Sequence, residues 1–217
     1  SFGNTKITES QKSRNHTENM LRDNTKVIQV KEGNSNFIEV FDKKNLKKIN
    51  INIPGDPSSA AFFTALTLLN KNSSIKIKSI CLNKTRIGFY HLLKKHGAKI
   101  KFKNLHTKNN EMRGDIFVQS SNLKPINASK NYYVNSTDEY PILFVIAALT
   151  KGTSKFYGIG DLANKESNRI KEMQKVLKQV GINSVSTKDE IKIFGKGNLN
   201  AVNKKISVPN LGDHRIC

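Results

Sequence analysis

The sequence predicts a mixed α/β fold built from repeated βαβαββ units. Three observations carry that expectation. An Arg-led amphipathic segment followed by two strand-like runs occurs three times. An Asp-led, almost wholly apolar segment occurs twice and begins a third time, and the two kinds of segment alternate along the chain. Self-similarity over tens of residues means that one supersecondary unit has been reused.

The amphipathic copies are "SRNHTENMLRDNTKVIQVKEGNSNFIEVF", "TRIGFYHLLKKHGAKIKFKN" and "SNRIKEMQKVLKQVGINSVSTKDEIKIFG", opened by Arg14, Arg86 and Arg169. Apolar residues at three- and four-residue spacing predict a helix with one buried face, as with Ile170, Met173, Val176, Leu177 and Val180 in the third copy. Gly97 and Gly181 then stand where a left-handed residue caps a helix C-terminus, a place that Thr25 takes in the first copy. Two strands follow, joined by a turn in copies one and three and by a longer loop in copy two.

The apolar copies are "GDPSSAAFFTALTLLNKNSSIKIKSI" and "TDEYPILFVIAALTKGTSKFYGI", and "GDHRIC" opens a third. Asp56 and Asp138 suit helix N-caps, Pro57 suits the first helical turn, and Asp213 occupies the same place in the third copy. A strand is expected ahead of each apolar helix, in "KININ", "DIFVQ" and "KISV". A helix that is apolar all round must be buried all round, so the sheets of several units should wrap shared helices. A plain doubly wound sheet is excluded.

Composition bounds the function. With 36% hydrophobic and 25% charged residues over 217 positions, the chain reads as a soluble globular protein. Its longest apolar runs are about half the ~20 residues that span a bilayer, so no membrane partner is expected. No secretory signal is visible. Cys81 and Cys217 make no disulfide framework and have no metal-ligand spacing, which fits a reducing, cytoplasmic setting with no metal or cofactor. His91, His96 and His106 read as surface residues. "GKGNLN" lacks the ending and the context of a phosphate loop. The net charge of +20 would suit a nucleic-acid binder. However, Lys is spread along the whole chain, no basic block interleaves with aromatics, and Trp is absent. Biased composition plus an anionic small-molecule ligand accounts for the charge better than a nucleic acid does.

One stretch, "GDLANKESNRIKEMQ", points to that ligand. Lys165, Glu166 and Arg169 crowd the predicted first turn of a helix, where partial positive charge disfavours cations unless an anion joins them. On local pattern alone the same residues also fit a solvated helix face with an exposed Glu–Arg pair, worth less than ~1 kcal/mol.

"PGDPSSAAFF", "LNKTRIGF…HGAKI", "DEYPILFVIAA", "KESNRI" and "DHRI" follow the order and spacing of the signatures of one family. Over nearly its whole length the chain resembles the enolpyruvylshikimate phosphate synthases. The resemblance implies an inside-out α/β barrel, or prism, in a two-domain enzyme with three βαβαββ units per domain. Residues 1–54 would end the second domain and 55–217 would form most of the first. It implies a monomeric transferase in which a hydroxyl of shikimate 3-phosphate attacks carbon 2 of phosphoenolpyruvate, carbon 3 is protonated, and phosphate leaves. Lys165 would then contact the shikimate phosphate and the reacting oxygen, Glu166 would move the carbon-3 proton, and Asp138 would accept the hydroxyl proton. Ser13 and Arg14 would bind the shikimate phosphate, and Arg169, Arg215 and His214 would bind phosphoenolpyruvate. Asn168 stands where the family carries Asp, so Arg169 is expected to lose a supporting charge pair. Lys84 replaces a usual Pro, a change expected to touch only the loop. A sister enzyme that transfers enolpyruvyl to a UDP-sugar shares the fold, but its catalytic Cys loop has no counterpart here. The Ser start and the "GDHRIC" end, with several family motifs missing, lead us to expect a fragment.

Overall fold

One strand order recurs through the molecule, of which the computed structural model describes residues 3–22, 27–31, 33, 35–41, 48, 50–197, 205–208 and 210–216. The first unit holds β1 (Thr5–Glu9), α1 (His16–Leu21), β2 (Ile28–Lys31) and β3 (Asn36–Val40), with the sheet ordered β1-β3-β2. The second holds α2 (Pro57–Leu69), β4 (Ser74–Cys81), α3 (Gly88–Lys95), β5 (Lys99–Lys108) and β6 (Glu111–Gln119), ordered β4-β6-β5. The third holds β7 (Asn127–Ala128), α4 (Tyr140–Ala148), β8 (Gly152–Tyr157), α5 (Arg169–Gln179), β9 (Asn183–Ser186) and β10 (Glu190–Gly195), ordered β7-β8-β10-β9. In every unit the last strand lies between the other two long ones and runs antiparallel to both. The repeat read from the sequence is therefore a repeat of topology.

The strands ahead of the apolar helices differ from expectation. "DIFVQ" lies in β6 and closes the second unit's own hairpin; the strand that leads into α4 is the two-residue β7, parallel to β8. The corresponding element before α2 is shorter still, a parallel bridge between Gly55 and Ile80. Within "KININ", the described residues 50–52 form no strand, and Arg113 takes the Asn52 carbonyl and side-chain oxygens. "KISV" is irregular too: the Gln179 amide meets the Ser207 N–H at 2.8 Å and its carbonyl at 2.9 Å, in place of a strand partner. The expected long loop in copy two is instead a tight hairpin, with Asn109 and Asn110 both left-handed (φ 52° and 58°).

Caps follow local chemistry. Asp56 accepts from the Ser58 and Ser59 N–H groups at 3.1 and 3.0 Å, with Pro57 in the first turn of α2. Gly97 and Gly181 take positive φ (99° and 74°) just past α3 and α5. Thr25, the expected cap of α1, lies outside the described residues. Tyr140, Leu143, Phe144, Ile146 and Ala147 of α4 are fully buried. By contrast α2, which lies against α4, is not buried all round: Phe62, Phe63 and Leu66 face outward beside the buried Ala60, Ala61, Ala65 and Leu68. His96 is also buried, contrary to the surface reading. Its Nδ1 donates to the Leu92 carbonyl at 2.8 Å, and its Nε2 accepts the Asn127 N–H at 3.0 Å. No helix among the described residues is long and apolar enough to cross a membrane.

Candidate functional site

Chain ends and helix starts from separate units converge on Asp138. This residue sits in a 3₁₀ turn (Thr137–Glu139) ahead of α4 and does not cap that helix, against the local reading. Its Oδ2 takes Arg14 Nη2 at 2.7 Å, from the segment that enters α1. It also takes Arg215 Nη2 at 3.3 Å, from the turn at 213–216, while Arg169 Nη1 stands 4.0 Å from Oδ1. Burial alone would raise the Asp138 carboxyl. The Arg14 hydrogen bond and the charges of Arg14, Arg215 and Arg86 overcome that and hold it below the usual carboxylate range.

Arg169 is the first residue of α5, its side chain only 2% exposed. A buried guanidinium needs a fixed counter-charge, and Asp213, wholly buried, supplies it: Arg169 Nε donates to Oδ2 at 2.9 Å and Nη2 to Oδ1 at 3.2 Å. Ser167 Oγ donates to the same carboxylate at 2.8 Å, and the Arg215 N–H at 3.1 Å. Glu166 Oε2 lies 2.6 Å from Arg169 Nη2 but is about half exposed, so it can swing away where Asp213 cannot. Arg169 Nη1 is buried and finds no hydrogen-bond partner among the described residues. An unpaired buried donor costs about 1–3 kcal/mol, so this nitrogen suits an incoming acceptor.

The sequence placed Lys165, Glu166 and Arg169 in one helical turn, but only Arg169 is helical. Asn168 caps α5 by accepting the Lys171 N–H at 3.1 Å, and Lys165 ends a separate 3₁₀ turn over Gly160–Asn164. Asn168 thus serves as a helix cap, and the buried counter-charge of Arg169 comes from Asp213. Lys165 Nζ sits 2.6 Å from Asp161, which also accepts the Tyr133 hydroxyl at 2.7 Å; these hydrogen bonds lower the Asp161 carboxyl. Ser13 donates to Glu9, and His214 is exposed in the terminal turn, so neither is drawn into the Asp138 cluster.

A supporting network went unread in the sequence. Arg86 Nη2 donates to Asp56 Oδ1 and to Ser58 Oγ, both at 2.8 Å, and Ser58 Oγ donates to the buried Glu139. Burial pushes the Glu139 carboxyl up, and neighbouring Asp138 adds to that push. The "PGDPSS" turn is thus tied to the residue beside Asp138. The signal was present in "GDPSS", "TR" and "DEYP", but it emerges only once the repeats are stacked.

Comparison with known proteins gives the family and the fold. All of residues 1–217 match the family described as EPSP synthase (3-phosphoshikimate 1-carboxyvinyltransferase). The chain is 36% identical over 215 residues to the 3-phosphoshikimate 1-carboxyvinyltransferase of Persephonella marina, covering 99% of this chain and 49% of that protein. The same identity and coverage hold for the Bacillus pumilus enzyme of that name. An EPSP synthase structure from Acinetobacter baumannii superposes with a TM-score of 0.85 at 33% identity, over 100% of this chain and 49% of that one. The enolpyruvyl transferase NikO of Streptomyces tendae, 10% identical with a TM-score of 0.65 over 90% of this chain and 43% of its own, shares the fold alone. The chain spans about half the length of the curated relatives it matches.

Proposed function

Since the chain belongs to the EPSP synthase (3-phosphoshikimate 1-carboxyvinyltransferase) family, we propose that it forms part of the cleft of an enzyme that joins phosphoenolpyruvate to shikimate 3-phosphate and releases phosphate. The observation that carries this reading is Asp138, a carboxylate gripped by Arg14 and Arg215 with the unpaired Arg169 Nη1 beside it. Two phosphates and a carboxylate are what such an arrangement of cations suits.

Arg14 would take the shikimate phosphate, with Ser13 turning from Glu9 to join it. Arg169 and Arg215 would clamp phosphoenolpyruvate, with His214 at the rim. Each substrate anion draws arginine charge away from Asp138. Its carboxylate then becomes a stronger base when the hydroxyl arrives, and accepts that proton as oxygen attacks carbon 2. Lys165, released from Asp161, would stabilise charge on the reacting oxygen. Glu166, displaced from Arg169 and protonated, would deliver a proton to carbon 3 and take one back from that carbon as phosphate leaves, which restores the double bond. We place residues 1–54 in one domain and 55–217 in the other, in a cytoplasmic, monomeric enzyme that uses no cofactor.

The test is phosphate release by the full-length protein that carries this chain. Release from phosphoenolpyruvate that requires shikimate 3-phosphate is expected. A cooperatively melting protein that releases none with both substrates present would overturn the reading. The 217-residue chain alone, half the length of its relatives, is expected to show no turnover.

A further inference from the structure

Away from that cleft, three chemically distinct ligand groups meet where α1 docks on the second unit. His16 is the first residue of α1, Cys81 the last of β4 and Glu111 the first of β6. Their donor atoms all lie within 4.8 Å of one another. His16 Nδ1 is 2.8 Å from Glu111 Oε1, and Cys81 Sγ is 3.7 Å from Glu111 Oε2. We propose that His16, Cys81 and Glu111 bind a zinc-type divalent cation that staples α1 to the second unit.

The donor set decides the class of ion. A thiolate with an imidazole and a carboxylate suits zinc, whereas magnesium and calcium take oxygen ligands alone. Bond lengths near 2.1 Å to nitrogen or oxygen and 2.3 Å to sulfur put tetrahedral ligands about 3.4–3.6 Å apart. Cys81 Sγ stands close to that separation from Glu111 Oε2, and His16 Nδ1, against the other carboxylate oxygen, need open by only about half an ångström. Asn19 and Asn83 each donate a side-chain N–H to Glu111 at 3.1 Å and hold the carboxylate in place, the support that metal-binding carboxylates usually receive. A cavity of about 300 Å³, lined by all three residues with Met20, Ile51 and Ile53, leaves room for a water as fourth ligand.

Binding would form the metal–sulfur bond and release the Cys81 thiol proton to solvent. The staple would act on the first cleft too, because Arg14, which grips Asp138, lies two residues before His16. Sequence spacing could not show this site, since its ligands come from three elements far apart in the chain.

The probe is cobalt(II) added to the chelator-treated 217-residue chain carrying Cys217→Ser, so that Cys81 is its only thiol. One equivalent should produce a thiolate-to-cobalt charge-transfer band with the visible bands of a tetrahedral site, and zinc should displace it. Zinc should also raise the melting temperature, since it binds the folded state. Glu111→Gln and His16→Gln should weaken cobalt binding at least ~10-fold, the lower end for lost ligand support. Absence of the thiolate band, or a band unchanged in both variants, would overturn the proposal.

Discussion

Arg169 can be buried because Asp213 is buried with it and takes two of its donors. Removing one partner of such a pair leaves an uncompensated charge, so Asp213→Ala should destabilise the chain by about 3–5 kcal/mol in denaturant unfolding. Arg169→Lys keeps the charge but loses the planar fork, and should raise the KM for phosphoenolpyruvate while sparing that for shikimate 3-phosphate. Asp138 adds a pH dependence with a definite sign. Its carboxyl is lower in the folded chain than in the unfolded one, where an aspartate titrates at about 3.9. Its contribution is therefore full above that value and lost as pH falls through the lower folded value, and Asp138→Asn should flatten the acid limb of a melting curve. Lys165, Glu166, Arg169 and Arg215 drew notice in the sequence because they sit in short motifs. Asp213 was read only as the start of another apolar helix, since a bond to a residue 44 positions away leaves no local trace.

Among the elements, the amphipathic helices and their Gly caps were legible because period and cap chemistry are local. The second unit's hairpin was misread for an equally local reason. The strands on both sides of β6 are interrupted by bulges, where the register shifts between Ile77 and Ile80 in β4 and between Lys103 and His106 in β5. Ser79 and Asn104, both with φ 53°, occupy those bulges, and one side chain pins them: Asp115 accepts the Ser79 N–H at 3.0 Å and the Asn104 amide at 2.7 Å. Those hydrogen bonds, with Lys76, hold the Asp115 carboxyl down at about 2. The stabilisation is thus present above about 4 and lost as pH falls toward 2. Asp115→Asn should lower the melting temperature at neutral pH and remove most of the change between those two values, followed by circular dichroism. An apolar-periodicity reading cannot see a bulge, because the alternation of side chains resumes on its far side.

The sheets of the three units share one strand order, those of the second and third lie against α2 and α4, and that plan was readable because it repeats. Complete burial of α2 was expected from its composition alone, yet Phe62, Phe63 and Leu66 remain outside. The charge of +20 also acts at this scale. Lysines ride on the sheets, Lys76 and Lys103 resting over the Phe117 ring at 5.1 and 4.9 Å. Any binding to duplex DNA should therefore be non-specific and should fall away between roughly 50 and 200 mM salt in a filter-binding assay. The cleft gathers Arg14, Asp138, Arg169 and Arg215 from segments spread over almost the full chain, so its chemistry belongs to the folded whole. Glu166→Gln in the full-length protein tests that most directly, because it keeps shape and hydrogen bonding while removing the proton. If Glu166 serves carbon 3, kcat for phosphate release should fall by ~10²–10⁴ with both KM values and the melting temperature nearly unchanged. Wild-type kcat in a variant that melts normally would contradict the account, and would return Glu166 and Arg169 to the status of a structural ion pair.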